Sequence, residues 1–187
     1  MVSLMQLLRR WALWGLMAIG ALFLSGCATS AKVTVAPGFT PPPERDRAYV
    51  IPFSTALVPE AFSEAVFNDF VDLLNRNRRQ TGIGTFTILK EDAARIDQDW
   101  LSRQFYLTGD IWSYVEDSGC CSTNIRVRAR AAVFEPGKRE PSVEIFLPLE
   151  TFFDHDKSTI DRERDTLARN LARELTRQIL GVLTLKK

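Results

Sequence analysis

The chain has 187 residues, 24 of them Lys or Arg against 23 Asp or Glu, and a formal charge of +1. That near-neutral balance excludes nucleic-acid binding driven by bulk charge. No Gly-rich phosphate loop, metalloprotease helix or nucleophile elbow occurs, which argues against an enzyme.

The N-terminal stretch carries Arg9 and Arg10 and no acid, and an apolar run follows from Trp11 to Leu24. The run is short of the roughly 20 apolar residues a spanning helix needs. A basic head, a short apolar core and small residues together form the layout of an export signal. Leu24-Ser25-Gly26-Cys27 then resembles a lipobox. Such a motif implies cleavage before Cys27, a diacylglycerol on its thiol and an N-acyl chain on the new amino terminus. Acyl chains anchor a protein at about 0.8 kcal/mol per buried methylene, so two or more make the anchor stable. Removing residues 1–26 takes away two basic residues and no acid, leaving 22 against 23, near −1. Ala28 follows the cysteine in place of the Asp that retains such proteins on the inner membrane. The expected location is the outer membrane, with the domain facing the periplasm; the inner membrane is the less favoured choice.

Ala28 to Arg47 is small, polar and proline-bearing, with Pro37 and the run Pro41 to Pro43. It reads as a tether, residues 27–47, whose extended chain would rise about 3.1 Å per residue. The alternative is that Lys32 to Val35 adds a short edge strand. Residues 48–187 suit one domain with one core. Ala48 to Phe53 is an apolar strand stopped by Pro52. Pro59 suits the first turn of a helix in which Phe62, Val66, Phe70, Leu73 and Leu74 recur at helical spacing. Gly82 and Gly84 turn the chain into a second strand, Thr85 to Lys90. A shorter helix is expected over Asp92 to Arg103, anchored by Ala93, Ile96, Trp100 and Leu101. Three strands follow: Tyr106 to Glu116, Asn124 to Phe134, and Val143 to Leu147 continuing towards Phe153. In the middle one Ile125, Val127, Ala129, Ala131 and Val133 alternate with Arg126, Arg128 and Arg130. Leu167, Leu171, Leu175, Ile179 and Val182 mark a long closing helix from near Asp161, with Ser158 and Asp161 as a capping box. The order β-α-β-α-β-β-β-α predicts a two-layer α+β domain, a mixed or antiparallel sheet with helices on one side.

Tyr49-Val50-Ile51-Pro52-Phe53, Phe86-Thr87-Ile88-Leu89-Lys90 and Tyr106-Leu107-Thr108-Gly109-Asp110-Ile111, with the closing helix, carry a resemblance. They are similar to the periplasmic family that includes the TolB N-terminal domain, the curli-secretion protein CsgG and the synthase activator LpoB. Lys90 stands where that family often has arginine. The resemblance implies a non-enzymatic adaptor or activator that docks on another envelope protein, in envelope assembly or secretion. CsgG inserts extra hairpins to build a barrel, for which this chain is too short. A second family is also similar in size and pattern, the auxiliary lipoproteins of ABC-type lipid-transport systems. Its members usually carry an additional N-terminal strand region, which the periodicity does not show.

Cys120 and Cys121 are adjacent between two strands, and in an oxidising compartment free thiols are exceptions. A vicinal disulfide is strained, because a trans peptide fixes neighbouring α-carbons at about 3.8 Å, below the usual disulfide range. Bonds to another chain and reduced thiols stay open beside it. No metal site is expected, because no nearby Cys or His completes four ligands. His155, between Asp154 and Asp156, reads as a solvated turn. Arg126, Arg128 and Arg130 share a strand face, and Arg169, Arg173 and Arg177 share a helix stripe; either could meet an acidic partner or lipid headgroups, against the reading as a solvated face. Trp112 and Tyr114 share one strand face, opposite Ile111 and Val115; if that pair is buried under the helices, they lie on the open side as contact residues, against the equal alternative of packing on a second layer. The partners expected are membrane lipid through Cys27 and another envelope protein. No cofactor is expected beyond the acyl groups on Cys27, and self-association into a homo-oligomer stays open.

Overall fold

In the computed structural model, residues 31–42, 44–91 and 95–184 are described. The expected export signal, Cys27 and Ala93 lie outside them. Chain order is β1 (Lys32–Val35), β2 (Arg45–Val50), β3 (Ser54–Thr55), α1 (Glu60–Asn77), a 3-10 turn (Arg78–Gln80) and β4 (Ile83–Ile88). Then come α2 (Gln98–Leu101), β5 (Tyr106–Ser118), β6 (Ser122–Phe134), β7 (Val143–Asp154) and α3 (Ile160–Leu183). All strands join one mixed sheet in the order β1-β7-β6-β5-β2-β4, with β3 beside β5. The predicted α+β class and single mixed sheet hold.

Alternation in β6 places Ile125, Val127, Ala129, Ala131 and Val133 on the buried face, each at most 1% exposed. Against it pack the two long helices. From α1 come Phe62, Val66, Phe70 and Leu74, four residues apart and therefore on one side of the helix. From α3 come Leu167, Leu171, Leu175, Ile179 and Leu183. Val182 packs against the core half-buried, and Leu183 beside it is fully buried. Thr159 caps α3, its hydroxyl accepting from Arg162 N at 3.4 Å, while Ser158 Oγ donates to Glu163 Oε1 at 2.6 Å. The cap thus sits one residue later than Ser158.

Three expectations change. First, the proline-bearing segment is no tether. Lys32–Val35 pairs antiparallel with β7, Lys32 opposite Phe146 and Val35 opposite Val143. β2 begins at Arg45, so the folded domain starts well before residue 48. Between these strands the chain crosses the base of the sheet: Ala36 N donates to Ser142 O, Phe39 packs on the core and Pro42 is buried. Four residues are too few to show a period, which is why β1 is faint in sequence.

Second, of the helix expected over Asp92 to Arg103, the described residues form one turn, Gln98–Leu101. The Asp97 carboxylate accepts from the N–H groups of Asp99 and Trp100, starting α2 only there. Ile96 and Leu101 join Ile51 in a small second core, with Leu89, Trp100 and Tyr106 at its margin. Ile51 and Tyr106 alternate with Val50 and Leu107, which face the main core, so this cluster covers part of the opposite sheet face. Both long helices keep to one side.

Third, the register of β5 against β6 shifts between Ile111 and Ser113. Ile111 pairs with Ala129 but Ser113 with Arg128, so Trp112 is the extra residue of a bulge. The alternation restarts one position later. Tyr114 and Glu116 therefore point to the helices, and Val115 points away from them.

The two sheet edges differ. At β4 the Asn75 side chain donates to Phe86 O and accepts from Phe86 N, both at 2.9 Å, taking up the outward hydrogen bonds as a neighbouring strand would. At the other edge β1 covers only Val143 to Phe146 of β7.

Candidate interaction surface

The sheet face away from the long helices is built in rows set by register. Asp110, Arg130 and Phe146 stand side by side, then Ser113, Arg128 and Pro148, then Val115, Arg126 and Glu150, then Asp117, Asn124 and Phe152. Trp112, on the bulge, reaches the first of these rows; its ring is 6.0 Å from that of Phe146 at 76°, an edge-on contact.

The three arginines are thus on one face, as predicted, but their surroundings differ. Arg130 is held by Asp110 at 2.8 Å and reaches Glu144 at 3.4 Å. Arg126 pairs with Asp117. Arg128 is exposed and has no ion pair among the described residues. Its row explains this, because Ser113 and Pro148 supply no carboxylate. A groove of about 330 Å³ runs past it, bordered by Ser113, Val115, Arg126, Pro148 and Glu150. The arrangement offers a guanidinium without an ion pair in a groove of mixed polar and apolar lining, with Glu150 at its border and a half-exposed tryptophan nearby. Guanidinium and indole are the groups that dominate many protein contacts.

Tyr114 is not part of this face. It packs on Phe62 at 4.9 Å and its hydroxyl donates to Glu116. Glu116 also receives a two-pronged contact from Arg164 of α3, Nε to Oε1 and Nη2 to Oε2, each 2.7 Å. That guanidinium holds the Glu116 carboxyl below its ordinary value. Burial first, and then the Glu116 carboxylate, push the Tyr114 hydroxyl up. The cluster fastens α3 to β5 across 48 residues of sequence, a separation at which no local spacing gives a signal.

Cys120 and Cys121 occupy the turn between β5 and β6 as exposed free thiols, their sulfurs 2.9 Å apart. His155 lies beside that turn: its backbone N–H donates to Cys121 O, and its Nε2 is 2.8 Å from Thr123 Oγ1. Among the described residues no group of three or more His, Cys, Asp or Glu is placed to hold a metal ion. The arginines of α3 bond along their own helix, Arg169 to Thr166, Arg173 to Asn170 and Arg177 to Glu174. They form a solvated stripe apart from the groove. Phe152, 67% exposed on the open face, escaped the sequence reading, which counted it only as strand.

No family model matches the chain, and no curated protein matches it. Solved structures do. The PelC dodecamer from Paraburkholderia phytofirmans aligns at a TM-score of 0.53 and 12% identity, over 84% of this chain and 99% of that one. A single-substitution variant of the same dodecamer aligns at 0.53 and 12%, over 80% and 96%. A minor lipoprotein from Acinetobacter baumannii aligns at 0.42 and 12%, over 78% and 98%, too distant to carry an argument. At these identities the likeness defines a shared fold, an α+β domain of the kind seen in PelC. Among the described residues no helix is long and apolar enough to cross a membrane.

Proposed function

We propose that this chain is a lipid-anchored lipoprotein of the bacterial outer membrane that binds another envelope protein, as an adaptor or activator in envelope assembly or secretion. The anchor rests on Leu24-Ser25-Gly26-Cys27 behind an export signal. The binding role rests on one observation above all: Arg128 stands exposed, without an ion pair among the described residues, in a groove on the sheet face away from the long helices. A guanidinium so placed favours a carboxylate-bearing partner surface, whose charge it would meet without first breaking a bond of its own.

Two further readings have specific support. The ABC-type auxiliary lipoproteins carry an additional N-terminal strand, and β1 supplies one. The fold shared with the PelC dodecamer favours assembly of several copies.

Crosslinked affinity purification of the intact lipoprotein from membranes, read by mass spectrometry, tests these readings. Recovery of an envelope synthase or secretion component, lost in Arg128→Glu, supports the adaptor. Recovery of a transporter permease supports the lipid-transport reading. Recovery of the chain alone, as a defined oligomer, removes the adaptor's main support.

A further inference from the structure

The register of β1 decides how the domain can stand on its membrane. Ala31 already packs against the core, and Lys32 is opposite Phe146. Ala31 follows Cys27 by four positions, so the acylated cysteine lies at most about 14 Å from it. β1 runs antiparallel to β7, so its first residue, Lys32, is the end of β1 nearer the C-terminal end of β7. From Phe146 to Thr151 along that strand is about 17 Å at strand rise. Cys27 therefore reaches no further than about the level of Thr151.

Beyond β1, the outer edge of β7 from Leu147 to Asp154 has no strand beside it among the described residues. On this same stretch stands Phe152, with Val115, 39% exposed, in the next row and two strands inward. We propose that this corner of the sheet, the uncovered edge of β7 with Phe152, rests against the lipid surface that holds Cys27. The inference depends on the lipoprotein reading and adds an orientation to it. A domain on so short a leash cannot stand off the bilayer, and the corner nearest the leash presents an aromatic side chain to it. Charge does not drive the contact: Arg126 is paired with Asp117 and Lys157 with Asp154, while Glu150 and Asp156 have no ion pair among the described residues. The contact is apolar and interfacial, made to zwitterionic lipid. The Arg128 groove beside it then opens along the membrane surface.

The experiment uses the full lipoprotein, its Cys27 acylation confirmed by intact mass, in phosphatidylcholine vesicles with brominated chains. Phe152→Trp adds a fluorophore at the corner, and Arg139→Trp adds one in the β6–β7 turn at the far end of the sheet. Most of the emission added by Phe152→Trp is expected to be lost to bromine quenching, with that of Arg139→Trp unaffected. Equal quenching at both sites, or none at Phe152→Trp in acylated protein, overturns the orientation. Absence of quenching with concentration-dependent growth in particle size assigns the corner to a second copy instead. A chain with no acyl group on Cys27 overturns the lipoprotein reading itself, and the orientation with it.

Discussion

The two faces of the sheet are made from the same strands and carry opposite chemistry. Towards α1 and α3 the strands present Ile, Val, Leu and Ala that are almost fully buried. Away from the long helices, the same strands present Arg126, Arg128, Arg130, Asp110 and Asp117, interleaved with Trp112, Phe146 and Phe152. The first face holds the fold together by apolar burial at about 25 cal/mol per Å². On the second, half-exposed ion pairs contribute little to stability, because water screens them. A face that costs stability so little to alter is free to be shaped by what it meets.

This contrast is open to direct attack. The largest effect is expected from Leu171→Ala on the helix side, which removes a fully buried side chain of α3. It should cost about 2–5 kcal/mol in urea unfolding. Gly109→Ala comes next, since an added Cβ would lie 2.8 Å from the Phe53 ring and 2.8 Å from Arg130 O. A loss of about 1–3 kcal/mol is expected, and wild-type stability would show that both the Phe53 ring and the Arg130 carbonyl can give way.

Asn75→Leu strips the β4 edge of its two side-chain bonds to Phe86. A cost of about 1–3 kcal/mol is expected, together with increased association through the freed edge, read by light scattering. The Glu116–Arg164 contact predicts a pH signature. Glu116 has its folded value depressed chiefly by the Arg164 hydrogen bonds. The stability it contributes is thus complete above the ordinary carboxylate range and is lost as pH falls through the depressed value. Glu116→Gln should flatten the acid limb of the stability profile; an unchanged limb would assign the acid sensitivity elsewhere. The smallest effect on stability belongs to Arg128→Ala, expected within about 0.5 kcal/mol of wild type, while capture of the partner weakens. A variant that unfolds earlier, with binding intact, would reverse the roles given to the two faces.

The long elements were legible because their patterns repeat. The alternation of Ile125 to Val133 needs only the two-residue period of a strand, and α1 and α3 need only the helical period. The first strand was found, though its hydrogen-bonded core lies three residues earlier than the apolar run, since Arg45 and Arg47 pair without being apolar. Trp112 was placed correctly on the open face, but Tyr114 was not. A bulge is a property of two strands, and no residue in β5 alone announces it. The arginines were likewise found as a row, while the fact that Arg128 alone of the three has no ion pair among the described residues depends on Asp110 and Asp117 arriving from another strand.

Sequence by itself determined the fold class, the buried positions of β6 and the inner stripes of the two long helices. Each is a local matter, of period or of capping within a few residues. Tertiary structure alone decided that Lys32–Val35 is an edge strand and not a tether, that Tyr114 turns inward to Glu116 and Arg164, and that Asn75 closes one edge of the sheet. These depend on hydrogen bonds and packing between residues far apart in the chain. Such contacts form only when the whole sheet is assembled, so no window of sequence contains them.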